Sequence, residues 1–138
     1  MKSELNFIDF IVPRFLFEKG HYEKSDNPVK IKPKAVISRS KNQFHINMDI
    51  ELIDNENDFK LKMFCIGIFH FETESEDHLL SFLSLNGPAI VFPYVRSFIS
   101  SVTALSGFDT ITLPTMNLSG FKDELIKGLV DIDNQTES

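Results

Sequence analysis

Phe44, Ile46, Met48, Ile50 and Leu52 alternate with His45, Asn47, Asp49 and Glu51. This is the period-two pattern of a strand with one face in a core and one in water. The short polar run Asp54-Asn55-Glu56-Asn57-Asp58 that follows predicts a turn returning the chain antiparallel. The next strand, Phe59 to Glu72, sets Phe59, Leu61, Met63, Cys65, Phe69 and Phe71 on one face. Its other face starts with Lys60 and Lys62 and turns apolar at Phe64, Ile66 and Ile68. A strand apolar on both faces needs cover on both, and 138 residues supply few helices. The second face is expected to be covered by another subunit or by a client.

Upstream, the apolar residues between Leu5 and Phe17 are interrupted by Pro13, which predicts a strand that begins irregularly. Lys19 to Lys34 is polar, with Gly20, Pro28 and Pro33, and reads as loop or sheet edge. Downstream, Ser75 is placed to cap a short helix carrying His78, Leu79, Leu80, Phe82, Leu83 and Leu85, which Asn86-Gly87-Pro88 is expected to end. A longer helix is expected from about Phe92, with Pro93 in its first turn. Val91, Val95, Phe98, Val102 and Leu105 form its apolar stripe, and Ser97, Ser100, Ser101 and Ala104 a face of small residues. Such a face lets a symmetry mate approach closely. Gly107 suits the carboxy-terminal cap. An extended apolar loop then leads to a last helix, capped by Ser119, with Phe121, Leu125 and Leu129 on one side and Asp123 and Glu124 in its first turn. From Asp131 the tail is polar and expected to fray.

The chain reads as one domain, residues 1–138, long enough to bury a core without disulfides or metals. A formal net charge of −6 argues against nucleic acid or an anionic membrane as the main partner and favours basic or unfolded ones. The lone Cys65 points to a reducing cytoplasm. The amino terminus, with Asp9 inside its apolar stretch, lacks the uninterrupted core of a signal peptide. No window approaches the ~18 consecutive apolar residues of a membrane span. With 14 Phe against 2 Tyr and no Trp, the aromatic surface is almost wholly apolar.

Candidate chemistry is sparse. His70 and His78 flank Glu72, Glu74, Glu76 and Asp77, but the spacing fits no zinc pattern and reads as a solvated acidic loop. Cys65 sits mid-strand among hydrophobes, where a thiol is inert packing. No nucleophile elbow, phosphate loop or dinucleotide fingerprint is present, and the six glycines are isolated. Neither an enzymatic activity nor a cofactor is expected.

The informative segment is residues 86–121. Gly87-Pro88-Ala89-Ile90-Val91-Phe92-Pro93-Tyr94-Val95-Arg96 resembles the signature of the SecB family of export chaperones, in which Phe-Pro-Tyr-x-Arg opens the long helix. Gly107-Phe108 and Leu113-Pro114-Thr115-Met116-Asn117-Leu118 resemble that family's Gly-Phe and Leu-x-Pro-x-Asn-Phe segments, with the proline shifted by one and Leu118 in the Phe place. The resemblance implies an α+β subunit: a four-stranded antiparallel sheet, a long helix, a crossover loop and a terminal helix. It implies a homotetramer, a dimer of dimers with the long helices at its centre. It also implies an ATP-independent holdase that keeps unfolded precursor proteins in apolar grooves and passes them to the motor SecA.

In that family the motor is engaged by acidic residues on the sheet. Glu18, after Phe17, matches one of them, whereas Arg14 and Ile66 stand at two others. SecB-like proteins also act as dedicated chaperones of antitoxins, an alternative client class. A non-chaperone domain for an apolar ligand or fixed partner is the competing reading. Candidate client-binding residues are Phe44, Ile46, Met48, Phe69, Phe71, Leu113, Met116, Leu118 and Phe121; the sequence does not separate those that are core from those that are surface. Candidate subunit-interface residues are Tyr94, Ser97, Phe98, Ser101 and Ala104.

Overall fold

The structure is a computed structural model that describes residues 3–24, 26, 28–114 and 116–133. Thr115 and the end of the polar tail lie outside the described residues. Four strands occupy the first half: β1 (Glu4–Lys19), β2 (Val29–Ser38), β3 (Gln43–Asp54) and β4 (Phe59–Glu72). A two-residue strand, β5 (Val130–Asp131), closes the chain, and the spatial order is β1-β4-β3-β2-β5. The sheet therefore has five strands rather than four, antiparallel except where β5 runs parallel to β2 at Val36 and Ile37. Polar anchors hold the segment that was expected to fray. Arg39 Nε donates to Asp131 at 3.1 Å, and the backbone N–H of Ser40 donates to Asp133 at 2.8 Å.

In β1 the inward residues are Leu5, Phe7, Phe10, Val12, Phe15 and Phe17, alternating steps of two and three. The register shows why. β1 carries one extra residue relative to β4 between Phe7 and Asp9, and another between Ile11 and Arg14. Each bulge resets the alternation so that the same face stays inward. Pro13 falls in the second bulge, where its missing N–H interrupts no regular pair. Pro33 lies inside β2, opposite Met48, at a stretch whose other side β5 does not reach.

The helical half departs from expectation at its start. Ser75 caps α1 (Glu76–Ser81), its Oγ accepting from the His78 N–H at 3.2 Å. Asn86-Gly87-Pro88 does not end the helical run. The chain passes through a π turn (Phe82–Asn86), in which the Gly87 N–H reaches back to the carbonyl of Phe82, and continues as α2 (Gly87–Leu105). Pro88, with no N–H to place, occupies the first turn. Pro93 lies inside the helix, not at its start, and the carbonyl it leaves unpaired belongs to Ala89 on the solvent side. Gly107, with φ of +88°, terminates the helix as expected.

The buried stripe is also shifted. Val91 and Val95 face the sheet, but the row continues through Ile99 and Thr103 at constant steps of four, leaving Phe98 and Val102 half-buried and Leu105 87% exposed. Where α2 crosses β4, a Cβ on Gly67 would collide with Val91, so the bare glycine sets how closely helix and sheet approach. After the loop comes a 3-10 turn (Leu118–Phe121), capped by Asn117 rather than Ser119: Asn117 Oδ1 accepts from the Ser119 N–H at 3.1 Å. The short α3 (Lys122–Lys127) then buries Leu125 against the rest of the core.

Candidate functional site

Six of the nine candidate client residues are core. Phe44, Ile46, Met48, Phe69, Phe71 and Leu113 are each at most 3% exposed, and Phe44 stacks on Phe69 with ring centroids 4.9 Å apart. Their alternation is the alternation of the buried face, so they offer no surface to a partner in this conformation. Met116, Leu118 and Phe121 are half-buried. The last two belong to the 3-10 turn that packs beside the π turn and α3.

A different set of apolar side chains is open. On the inner face of β1, Phe7, Phe10, Phe15 and Phe17 are only half-buried, because α2 covers the edge of the sheet less than its centre. Tyr94 leans over Phe7 and Phe10, with centroids at 4.9 and 5.6 Å, and is itself 46% exposed. Phe98 meets Phe15 edge-on at 5.2 Å. Phe108, 51% exposed, approaches Phe17 at 6.0 Å, and Lys19 Nζ sits 4.9 Å from its ring centroid. At that end a cleft of about 410 Å³ opens between Phe17, Phe59, Phe108 and Ile111.

The row runs beside a free edge. Among the described residues β1 is the outermost strand, so from Leu5 to Lys19 alternate backbone N–H and C=O groups face away from the sheet. An aromatic face next to an unpaired strand edge is the arrangement that takes an extended chain: the edge supplies hydrogen bonds and the rings supply apolar contact. Sequence reasoning missed these residues because the two bulges hide the alternation; the two-three stepping of the apolar positions is the signal that finds them.

The crossover loop is fastened across α2 by three side chains on one face of the helix. Arg96 Nε donates to the carbonyl of Leu113 at 3.1 Å, and Ser100 Oγ to that of Ile111 at 3.0 Å. The Ile111 N–H donates to the buried Thr103 Oγ1 at 2.8 Å, which in turn donates to the Ile99 carbonyl at 2.8 Å. Positions 96, 100 and 103 are one helical face, and the loop follows it.

The interface candidates divide. Ser97, Ser101 and Ala104 are exposed, whereas Tyr94 and Phe98 already pack within the chain on β1. Glu18 is exposed on the outer face of the sheet, paired in register with Lys60, and accepts from the Tyr22 hydroxyl at 2.9 Å. Arg14 and Ile66 share that outer face. The apolar side chains Phe64, Ile66 and Ile68 also lie there, half-exposed, with the Arg14 guanidinium over the Phe64 ring.

Cys65 is fully buried and burial pushes its thiol up to about 12. His78 Nδ1 lies 2.6 Å from Ser3 Oγ, and Glu76 is held by the Arg39 guanidinium at 2.7 and 2.8 Å, so the histidine and carboxylates of the acidic loop point to different partners. Among the described residues no three His, Cys, Asp or Glu side chains converge as a metal cage. By length and mean hydropathy the helical run Glu76–Leu105 is long and apolar enough to cross a membrane, although it holds no 18 consecutive apolar residues; in the fold it packs along the sheet.

The family model described as preprotein translocase subunit SecB matches residues 19–124. An uncharacterised protein of Methanocaldococcus jannaschii is 27% identical over 128 residues, covering 86% of this chain and 83% of that one. The protein-export protein SecB of Cereibacter sphaeroides is 39% identical over 70 residues, covering 50% of this chain and 42% of that one. The alignment thus spans less than half the length of that curated SecB. Among solved structures, a SecB-like chaperone of Mycobacterium tuberculosis, in complex with a ChAD peptide from an antitoxin, superposes with a TM-score of 0.64 at 15% identity, covering 82% of this chain and 88% of that one. A protein of unknown function from Streptococcus agalactiae gives a TM-score of 0.56 at 10% identity, covering 83% of this chain and 100% of that one. The antiparallel sheet, long helix and short terminal helix agree with the family match, and the chain belongs to the SecB family.

Proposed function

We propose that this chain is an ATP-independent holdase that binds unfolded or extended apolar polypeptide along the inner face and free edge of β1. The observation that carries the reading is the half-exposed aromatic row Phe7, Phe10, Phe15, Phe17 and Phe108 beside the outer edge of β1, which no strand among the described residues pairs. Affinity comes from many weak apolar contacts plus backbone pairing, a combination that tolerates many sequences. The proposal includes no chemical step, and its natural setting is the cytoplasm.

The oligomer is part of the proposal. Ser97, Ser101 and Ala104 leave a shallow exposed face on α2 on which a second α2 fits closely, as in the dimer of dimers the resemblance implies. Tyr94 and Phe98 flank that face from within their own subunit. Of the partners the resemblance implies, an antitoxin-type client is favoured over SecA: Arg14 and Ile66 stand where two of the three motor-binding carboxylates are expected, leaving Glu18 alone. The relative solved with an antitoxin peptide is in keeping with that choice.

The test is aggregation of several unrelated unfolded proteins with the chain added at near-stoichiometric amounts, in parallel with a titration of the SecA carboxy-terminal tail. Broad suppression without tail binding is the expected result. Protection of one antitoxin alone would make this a dedicated chaperone. Protection of none would leave an apolar-ligand or scaffold domain on the same fold.

A further inference from the structure

The outer face of the sheet carries its own candidate site. Register puts Arg14 beside Phe64, Leu16 beside Lys62, and Lys30 and Lys32 opposite Glu51 and Asp49. These side chains line a trough of about 880 Å³ across four strands, its floor apolar at Phe64 and Leu16, the latter 46% exposed. The trough holds four cations against two carboxylates, in a chain whose net charge is −6. Glu51 is further offset by Lys62 at 3.9 Å, and the Arg14 guanidinium lies over the Phe64 ring at 5.3 Å. Among the described residues Lys30 and Lys32 make no ion pair. Positive charge is concentrated on a concave, partly apolar surface of an otherwise acidic protein.

We infer that this trough docks an acidic polypeptide segment in which apolar side chains alternate with carboxylates. Apolar residues of such a segment meet Leu16 and Phe64 while its carboxylates reach Arg14, Lys30 and Lys32. Charge complementarity of this kind governs which partner docks and how fast. The site is separate from the aromatic row on the inner face and stands or falls independently of the holdase reading. It also has the opposite polarity to an acidic surface that would attract a basic tail.

The probe is a labelled dodecapeptide alternating Glu with Leu and Val, compared with the same peptide carrying Lys at every Glu, by fluorescence anisotropy at low salt. The acidic peptide binds, its affinity falls as salt rises, and the Lys30→Glu/Lys32→Glu double variant weakens it about tenfold or more. Unchanged thermal unfolding of that variant establishes that its fold is intact, and Leu16→Ser, which alters only the apolar floor, weakens binding in its own right. Equal binding of the basic peptide, or unchanged binding by the double variant, overturns the inference. So does equal competition by a single-stranded oligonucleotide, which would mean the trough reads anionic charge alone.

Discussion

Arg96 Nε donates to the carbonyl oxygen of Leu113 at 3.1 Å, joining the last residue of the Phe-Pro-Tyr-x-Arg signature to the first residue of the Leu-Pro segment. Two motifs separated by 17 positions are thus the two halves of one contact. With Ser100 and Thr103 it fixes the path of the loop that ends at Phe108 on one side and leads to the 3-10 turn on the other.

Replacing Arg96 by Ala should therefore loosen the loop more than the fold. A hydrogen bond from a charged donor is worth about 1.5–3 kcal/mol when buried, and the partial exposure of Arg96 puts this one at the low end. Hydrogen exchange should accelerate over residues 108–117 with little change in β3 and β4. Thr103→Val should cost more, about 1–3 kcal/mol, because the Ile111 N–H loses its acceptor. Thermal unfolding of the two variants checks the order.

Gly67 and Val91 make a steric pair that can be tested by compensation. Gly67→Ala drives a Cβ into Val91, and overpacking of this kind costs about 1–3 kcal/mol. Combining it with Val91→Ala should recover part of that loss, so the double-mutant cycle shows a favourable coupling. Additive losses would mean that α2 does not sit against β4 at this point.

Cys65 gives a pH signature. Burial raises its folded-state value to about 12 from 9.0, so the unfolded chain gives up the thiol proton more readily than the folded one. Below pH 9 the associated stability is fully present; it is lost as pH climbs from 9 toward 12. Denaturant titrations across that range should show the decline, with a shallower slope in Cys65→Ala. At pH 8 the native thiol should resist a disulfide reagent that labels the unfolded chain completely.

β3 and β4 were legible because each buries one alternating set of side chains in the core, whereas the polar, proline-broken start of β2 (residues 29–34) reads as loop or sheet edge. Phe44 to Leu52 and Phe59 to Phe71 needed only period-two alternation. β1 was less legible, since its two bulges each move the apolar set by one position. The join at Asn86-Gly87-Pro88 reads as a stop by composition alone; only the π turn, which gives the Gly87 N–H a partner five residues back, lets the chain go on. The row Val91, Val95, Ile99, Thr103 replaced the expected stripe because the sheet selects constant steps of four, and because Thr103 satisfies its hydroxyl against Ile99 and Ile111. The site was the least legible part. The strongest hydrophobic alternation marks what is buried, so it pointed to the core rather than to the half-covered aromatics a client would meet.

The exposed small face of α2 makes a clear expectation for assembly. Ala104→Arg sets a charged side chain among Ser97 and Ser101 and should split the proposed oligomer while leaving the helix content of each subunit intact. Mass in solution by light scattering decides it; an unchanged mass would remove α2 from the interface.

The most direct measurement of the holdase claim uses the absence of tryptophan. Phe108→Trp puts a single indole at the end of the aromatic row, reporting on that surface alone. Titrating an unfolded, tryptophan-free client should give a saturable blue shift at the same ratio that suppresses aggregation, as water leaves the indole. Suppression with unchanged emission would mean that the client binds elsewhere and that the β1 surface is not the site.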